Sequence, residues 1–311
     1  PQELMLSTFL LLLFSPVLPA QEDAVIRALV DELERSQALS LDDMDIPYYI
    51  QYSANDVETW QASFTFGGLT SSSTNHSCSL TTDVRVGDYE MDSSNAGGSG
   101  GFGGWGGRGR RGGGRGGGGT VSLPEDHDYG AIRHAAWLAS DSAYKRAIES
   151  YSQKMANLDD ARDSERPADF TRSEPVVEVL PLAEIGITPA AWESRLSECA
   201  GLTALFSGYP QVVDGSLRIS ATATNRYIVS SEGTRIRHGE AKYLMRLSVT
   251  VKTPEGLNLA DDRRWFAVSP GAMPTSSEVR VSLEALVDSL SATAEAPLLD
   301  GYTGPVLFDG I

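Results

Sequence analysis

A chain of 311 residues, 41% of them apolar, is long enough for one large or two medium domains around a substantial core. Its net charge of −17 argues against a nucleic-acid-binding body, which needs clustered Lys and Arg to meet phosphates. Two cysteines, Cys78 and Cys199, do not make a disulfide framework; they read as separate buried thiols, with one long-range pairing as the alternative.

In chain order, residues 4–20 form a short apolar run that includes Leu10 to Phe14 and ends at Pro16 and Pro19-Ala20, before the acidic Glu22-Asp23. It is short for a membrane span, so residues 1–20 are predicted to be a secretory signal peptide lacking its basic start, with export to the periplasm or exterior. Residue 1 is Pro, and the chain closes on the apolar stretch Tyr302 to Phe308, which reads as a strand being entered. Both ends are therefore expected to continue. Val25, Leu29 and Leu33 set a 3.6-residue stripe for an amphipathic helix over Asp23–Gln37. Trp60, Ala62, Phe64 and Phe66, then Cys78, Leu80, Thr82, Val84 and Val86, alternate with polar residues around Gly67-Gly68. That pattern predicts antiparallel strands with one buried face.

Residues 97–119 are mostly Gly, interrupted by Ser99, Phe102, Trp105, Arg108, Arg110, Arg111 and Arg115, and cannot offset the entropy of ordering; a surface excursion is expected. A long helix follows, with the acids of Pro124 to Asp128 placed at its N-terminus and Ile132, Ala136, Ala139, Ala143, Ala147 and Tyr151 on one side. Residues 159–175 form a charged connector. Thr188-Pro189 signals an N-cap and first helical residue for a helix reaching about Phe206. Strands are expected between Val212 and Ser269, with turns at Asn225, Gly233, Gly239 and Pro254 to Gly256, before a helix carrying Val279, Leu283, Leu286, Val287 and Leu290. The fold class is α+β, with mixed or antiparallel sheets and packed long helices in two sub-domains. The expected division is an N-terminal region over 21–175, including the loop 97–119, and a β-rich region over 176–311.

Catalytic motifs are scarce. Gly97 to Gly101 fits G-x-S-x-G and Gly101 to Gly106 fits G-x-G-x-x-G, but both lie in the glycine run without the strand and helix that such loops require. None of His76, His127, His134 and His238 belongs to an H-E-x-x-H motif. His76 and Cys78 share a strand face as half of a metal site that no second pair completes in the sequence; His127 and His134 share roughly one helix side. No catalytic residue or metal ligand is assigned. The Arg-Gly stretch with Phe102 and Trp105 is of the kind that binds RNA or polyanions by charge and stacking, which in an acidic chain ranks below a surface insertion.

Several segments together resemble the TldD/PmbA family of zinc metallopeptidases: Leu41-Asp42-Asp43 leading to Pro47 to Tyr52, then Val84 to Tyr89, Asn225-Arg226-Tyr227 with Ser231 to Thr234, and the closing Tyr302 to Phe308. Their order matches that family's N-terminal half, over about residues 22–311. The resemblance implies a zinc motif, H-E-x-x-x-H, beyond Ile311, and no cofactor held by this chain. It also implies a peptide or unfolded polypeptide as substrate, and a homo- or heterodimer with a related subunit. Asn225, Arg226, Ser231, Glu232, Gly233 and Thr234 are the substrate-binding candidates, taking peptide by strand addition. The alternatives are an inactive binding or partner subunit of such a peptidase and, behind it, an envelope polyanion or RNA binder acting through the Arg-Gly loop.

Overall fold

In a computed structural model, residues 23–40, 46–94, 119–159, 167–186, 189–297, 301 and 303–307 are described. The leader, nearly all of the glycine run, Thr188, Tyr302 and Phe308 to Ile311 lie outside them. Helix α1 (Ala24–Ser36) starts where Asp23 Oδ1 accepts the Val25 and Ile26 N–H groups at 2.9 and 3.2 Å. Strands β1 (Tyr49–Thr65) and β2 (Gly68–Arg85) form a long hairpin around Phe66-Gly67. Strand β3 (Thr120–Leu123) precedes α2 (Tyr129–Asp159). Then come β4 (Val177–Val179), α3 (Pro189–Ala204), β5 (Val212–Ser230), β6 (Arg235–Lys252), β7 (Asn258–Ala267) and α4 (Ser276–Ala294). Helix α4 opens on a Thr275–Glu278 capping box.

The seven strands make one sheet in the order β3-β2-β1-β5-β6-β4, with β7 also paired to β6. All pairings are antiparallel except β4 with β6, so the protein is α+β with a mixed sheet. The boundary expected at residue 175 runs through this sheet, because β1 pairs with β5 from Gln51–Ser230 to Thr65–Ser216. Both sequence regions therefore contribute strands to one sheet.

One face of the sheet is covered at its two ends. Under α1 and α2 lie Ile50, Tyr52, Leu80, Val84, Tyr227 and Val229, and α2 meets them with Ile132, Ala136, Ala139, Ala143 and Ala147. Small residues on that stripe let the helix axis come close to the sheet. Under α3 and α4 lie Phe64, Leu217, Ile219, Met245, Leu247 and Val249, faced by Phe206, Val279, Leu283, Leu286 and Val287. Cys78 belongs to the first core and Cys199 to the second, and both are free thiols.

Three local expectations are corrected. Asn225 and Gly239 are not turns: they sit opposite each other in the middle of β5 and β6. Asn and Gly carry a local turn preference, but here a segment remote in sequence explains both. Pro124 to Asp128 is not the first turn of α2. It is a separate turn in which His127 takes a left-handed φ of 56°, and Asp128 then caps the helix by accepting the Ala131 N–H at 2.8 Å. The described residues 303–307 of the closing segment are not in a strand. The turns at Gly233 (φ 97°) and Gly256 (φ 90°) form as expected, at positive φ that glycine adopts without steric cost.

Candidate functional site

Between the two cores a single register line crosses four strands: Cys78 on β2, Asp56 on β1, Asn225 on β5 and Gly239 on β6. Directly opposed residues of antiparallel strands point to the same face, so this row lies on the helix-covered face in the gap between the helix pairs. Asp56, Cys78 and Asn225 are all buried.

At one end of the row, the extended segment 176–183 is held on the sheet. Arg235 donates its N–H to the Val176 carbonyl at 2.8 Å, and Leu180 donates to the Arg237 carbonyl at 3.0 Å. The Arg237 Nε donates to the Leu180 carbonyl at 2.7 Å. The Asn225 amide then takes both main-chain groups of Ala183: Oδ1 accepts the N–H at 2.8 Å and Nδ2 donates to the carbonyl at 3.1 Å. A Cβ on Gly239 would stand 2.5 Å from Ala183 N and 2.9 Å from the Pro181 carbonyl oxygen, so only glycine lets this backbone lie down. The segment's apolar side chains, Val176, Val177, Val179, Leu180 and Leu182, remain exposed.

At the other end, Asp56 gathers two imidazoles. Its Oδ1 lies 2.6 Å from His76 Nε2 and its Oδ2 3.2 Å from His127 Nε2, with Glu125 3.8 Å from His76 Nδ1. Burial, with the Asp56 charge adding to it, pushes the Cys78 thiol up to about 12. His134 is not part of this group; its ring packs 5.6 Å from Trp137.

Of the expected binding residues, the structure groups Ser231 to Thr234 in the β5–β6 turn and sets Asn225 and Arg226 further down β5. Asn225 faces the clamped segment, whereas Arg226 reaches Glu240 at 3.1 Å. Ser231 exchanges bonds with Ile50: its N–H donates to the Ile50 carbonyl at 2.9 Å and its Oγ accepts the Ile50 N–H at 3.0 Å. Glu232 accepts the Tyr89 hydroxyl at 2.6 Å, and Thr234 Oγ1 accepts the Val176 N–H at 3.4 Å. Gly233 packs beside Pro175.

The β5–β6 turn therefore leans on a cluster of Tyr48, Tyr49, Tyr89 and Phe170, with the Arg85 guanidinium 4.1 Å over the Phe170 ring. Behind it, the fully buried Asp92 accepts the Tyr48 hydroxyl at 2.8 Å, Arg85 at 3.1 Å and the Ser94 N–H at 2.7 Å. Burial opposes its charge, yet the bonds from Ser94 and Tyr48 and the Arg85 charge together hold its carboxyl below the usual range. Lys154, also buried, joins the Asp92 and Ser94 carbonyls to Asp169 at 2.6–2.8 Å.

The sequence signals neither Asp56 nor the separate Asp92–Lys154 network. Asp56 could have been noticed as an acid at an inward position of the run Tyr52, Ala54, Asp56. A cleft of about 1070 Å³ lies elsewhere, between β7 and the start of α4. Its ionisable residues are already engaged, Arg264 with Asp262 and Glu278 in the helix cap.

The chain is similar in fold to three solved structures. TldE from Thermococcus kodakarensis aligns at 10% identity over 85% of this chain and 47% of its own, with a TM-score of 0.47. Two proteins described as candidate modulators of DNA gyrase align at 8% identity. The one from Thermotoga maritima covers 77% of this chain and 44% of its own length at a TM-score of 0.42. The one from Bacteroides thetaiotaomicron covers 86% and 49% at 0.45. These neighbours have the TldD/PmbA fold, and the chain spans just under half the length of each. No protein-family model and no curated protein matches the sequence.

Proposed function

We propose that this chain is the N-terminal, non-catalytic portion of a TldD/PmbA-like zinc metallopeptidase acting on peptides or unfolded polypeptides, and that it supplies a wall along which extended peptide lies. The observation that carries this reading is the grip on segment 176–183. The Asn225 amide recognises a main-chain N–H and carbonyl, not a side chain, beside a glycine that admits the backbone. Strand addition requires the same sequence-independent recognition.

The chain's own segment occupies that grip and in doing so offers a new edge. Val176 and Leu180 bond inward to β6, so by strand alternation the main-chain groups of Val177 and Val179 point outward. A peptide added there would pair with those groups and meet the exposed valine side chains.

The family's H-E-x-x-x-H motif matches no residues of this chain, so no catalytic step is assigned to it. Zinc for peptide hydrolysis belongs, in this reading, to a part of the protein beyond Ile311. Pairing with a like or related subunit, and export directed by residues 1–20, form part of the same proposal. Among the described residues, no helix is long and apolar enough to cross a membrane.

The test is hydrolysis and binding of a labelled unfolded polypeptide by residues 1–311 and by a product extended beyond Ile311. The expected result is binding by both and chelator-sensitive cleavage by the extended product alone. Cleavage by residues 1–311, or binding by neither, contradicts the reading. Binding without cleavage by the extended product selects the inactive partner subunit.

A further inference from the structure

The Asp56 end of the polar row has a donor set that a hydrogen-bonded network leaves unexplained. Asp56, Cys78 and His127 each offer one ligand atom, and the three atoms lie within 4.8 Å of one another. Asp56 and Cys78 are buried on adjacent strands at the same register. His127 descends on them from the turn between β3 and α2, where its φ of 56° holds a non-glycine residue in a sparsely populated conformation.

The His127 Nε2 decides the matter. It is buried and pairs with Asp56 Oδ2 at 3.2 Å, with no hydrogen-bond partner among the described residues. At that separation an imidazole nitrogen and a carboxylate oxygen can both ligate one cation. His76 completes the surroundings: its Nε2 holds the other Asp56 oxygen at 2.6 Å, and its Nδ1 faces Glu125. A metal-ligating group is commonly oriented by this kind of outer-shell partner.

We infer that Asp56, Cys78 and His127 form a binding site for a zinc-type divalent cation, with His76 as the positioning residue for Asp56. Thiolate, imidazole and carboxylate together suit zinc better than magnesium or calcium, which take oxygen ligands. Bonds of about 2.0–2.3 Å in a tetrahedron place ligand atoms roughly 3.3–3.8 Å apart. The Asp56–His127 separation is already near this range, and the sulfur needs only about an ångström of side-chain adjustment to join. The buried thiol gives up its proton when the cation binds, as ligation requires. The fourth position is left to water on the side where His76 and His127 are about a third exposed. The cation would fasten the turn before α2 to β1 and β2, next to Asn225 on the same row. It is separate from any zinc held beyond Ile311.

Cobalt(II), titrated into the metal-free full chain, tests the site by its thiolate-to-metal charge-transfer absorption. One equivalent should develop the band, which Cys199→Ser retains and Cys78→Ser loses. His127→Gln should weaken binding at this band more than about 100-fold, and His76→Ala about 10–100-fold, as for an outer-shell partner. His127 sits on a partly exposed turn, so His127→Gln provides a folded control even where Cys78→Ser does not fold. An identical band in Cys78→Ser, no band in the wild type, or unchanged cobalt affinity in His127→Gln would overturn the inference.

Discussion

The two cores rest on the same face of one sheet and are built differently. Beneath α3 and α4 the packing is large and aliphatic, with Phe206, Met245, Leu247, Leu283 and Val287 fully buried or nearly so. Beneath α1 and α2, alanines bring the helix close, and buried polar groups enter the interior. Tyr52 places its hydroxyl 2.5 Å from Ser140 and 3.1 Å from Ser36, while Asp92 and Lys154 close the far end. The second core supplies stability through volume. The first, with the polar row beside it, uses directional bonds to fix positions, and it is here that the chain's candidate chemistry lies.

The difference can be broken at four places, in decreasing order of effect. Phe206→Ala removes a fully buried ring from the aliphatic core and should cost about 3–5 kcal/mol in chemical denaturation; a loss below about 1 kcal/mol would mean that this core is not packed as described.

Asp92→Asn removes the charge to which Arg85 and Tyr48 are bonded and should cost about 1.5–3 kcal/mol at neutral pH. Because the Asp92 pKa is depressed in the fold, its contribution is fully present above the unfolded carboxylate value of about 3.9. It is lost as pH falls through the depressed value. The wild type's advantage over Asp92→Asn should therefore shrink only under acid conditions, and a constant difference from neutral to strongly acidic pH would contradict the charge argument.

Gly239→Ala sets a Cβ against Ala183 and the Pro181 carbonyl and should cost about 1–3 kcal/mol by overpacking. Limited proteolysis should then cut within 175–186 faster than in the wild type, with the two cores still folded. Tyr52→Phe, the mildest change, removes one buried hydroxyl between Ser36 and Ser140 and should cost about 0.5–1.5 kcal/mol by thermal melting.

Much of the scaffold was legible because it follows from local periodicity. The Val25, Leu29, Leu33 stripe gave α1, the alternation from Trp60 to Phe66 and from Cys78 to Val86 gave the first hairpin, and Gly233 marked the β5–β6 turn. Asn225 and Gly239 misled because the partner that explains them, the backbone of 181–183, is distant in sequence. Proline and acids at 124–128 resembled a helix start, whereas the chain first makes a turn that aims His127 at the sheet. The same limit applies to the sites. His76 and Cys78 stood out as residues two apart on one strand, but Asp56 joins them across a strand pair and His127 from a turn. The β5–β6 turn residues proved to be tied to Ile50, Tyr89 and Val176, contacts that only tertiary structure supplies.

The edge of β4 is where the account is most directly exposed to test. Val179 is half-exposed and its main-chain groups point away from β6, so Val179→Pro removes an outward N–H while leaving the inward pairing in place, as edge strands tolerate. Fluorescence anisotropy of a labelled extended apolar peptide, titrated with wild type and variant, measures the effect. Peptide affinity should fall at least about tenfold, equivalent to about 1.4 kcal/mol, with the melting temperature unchanged. Equal affinity in the two proteins would contradict the peptide-wall reading.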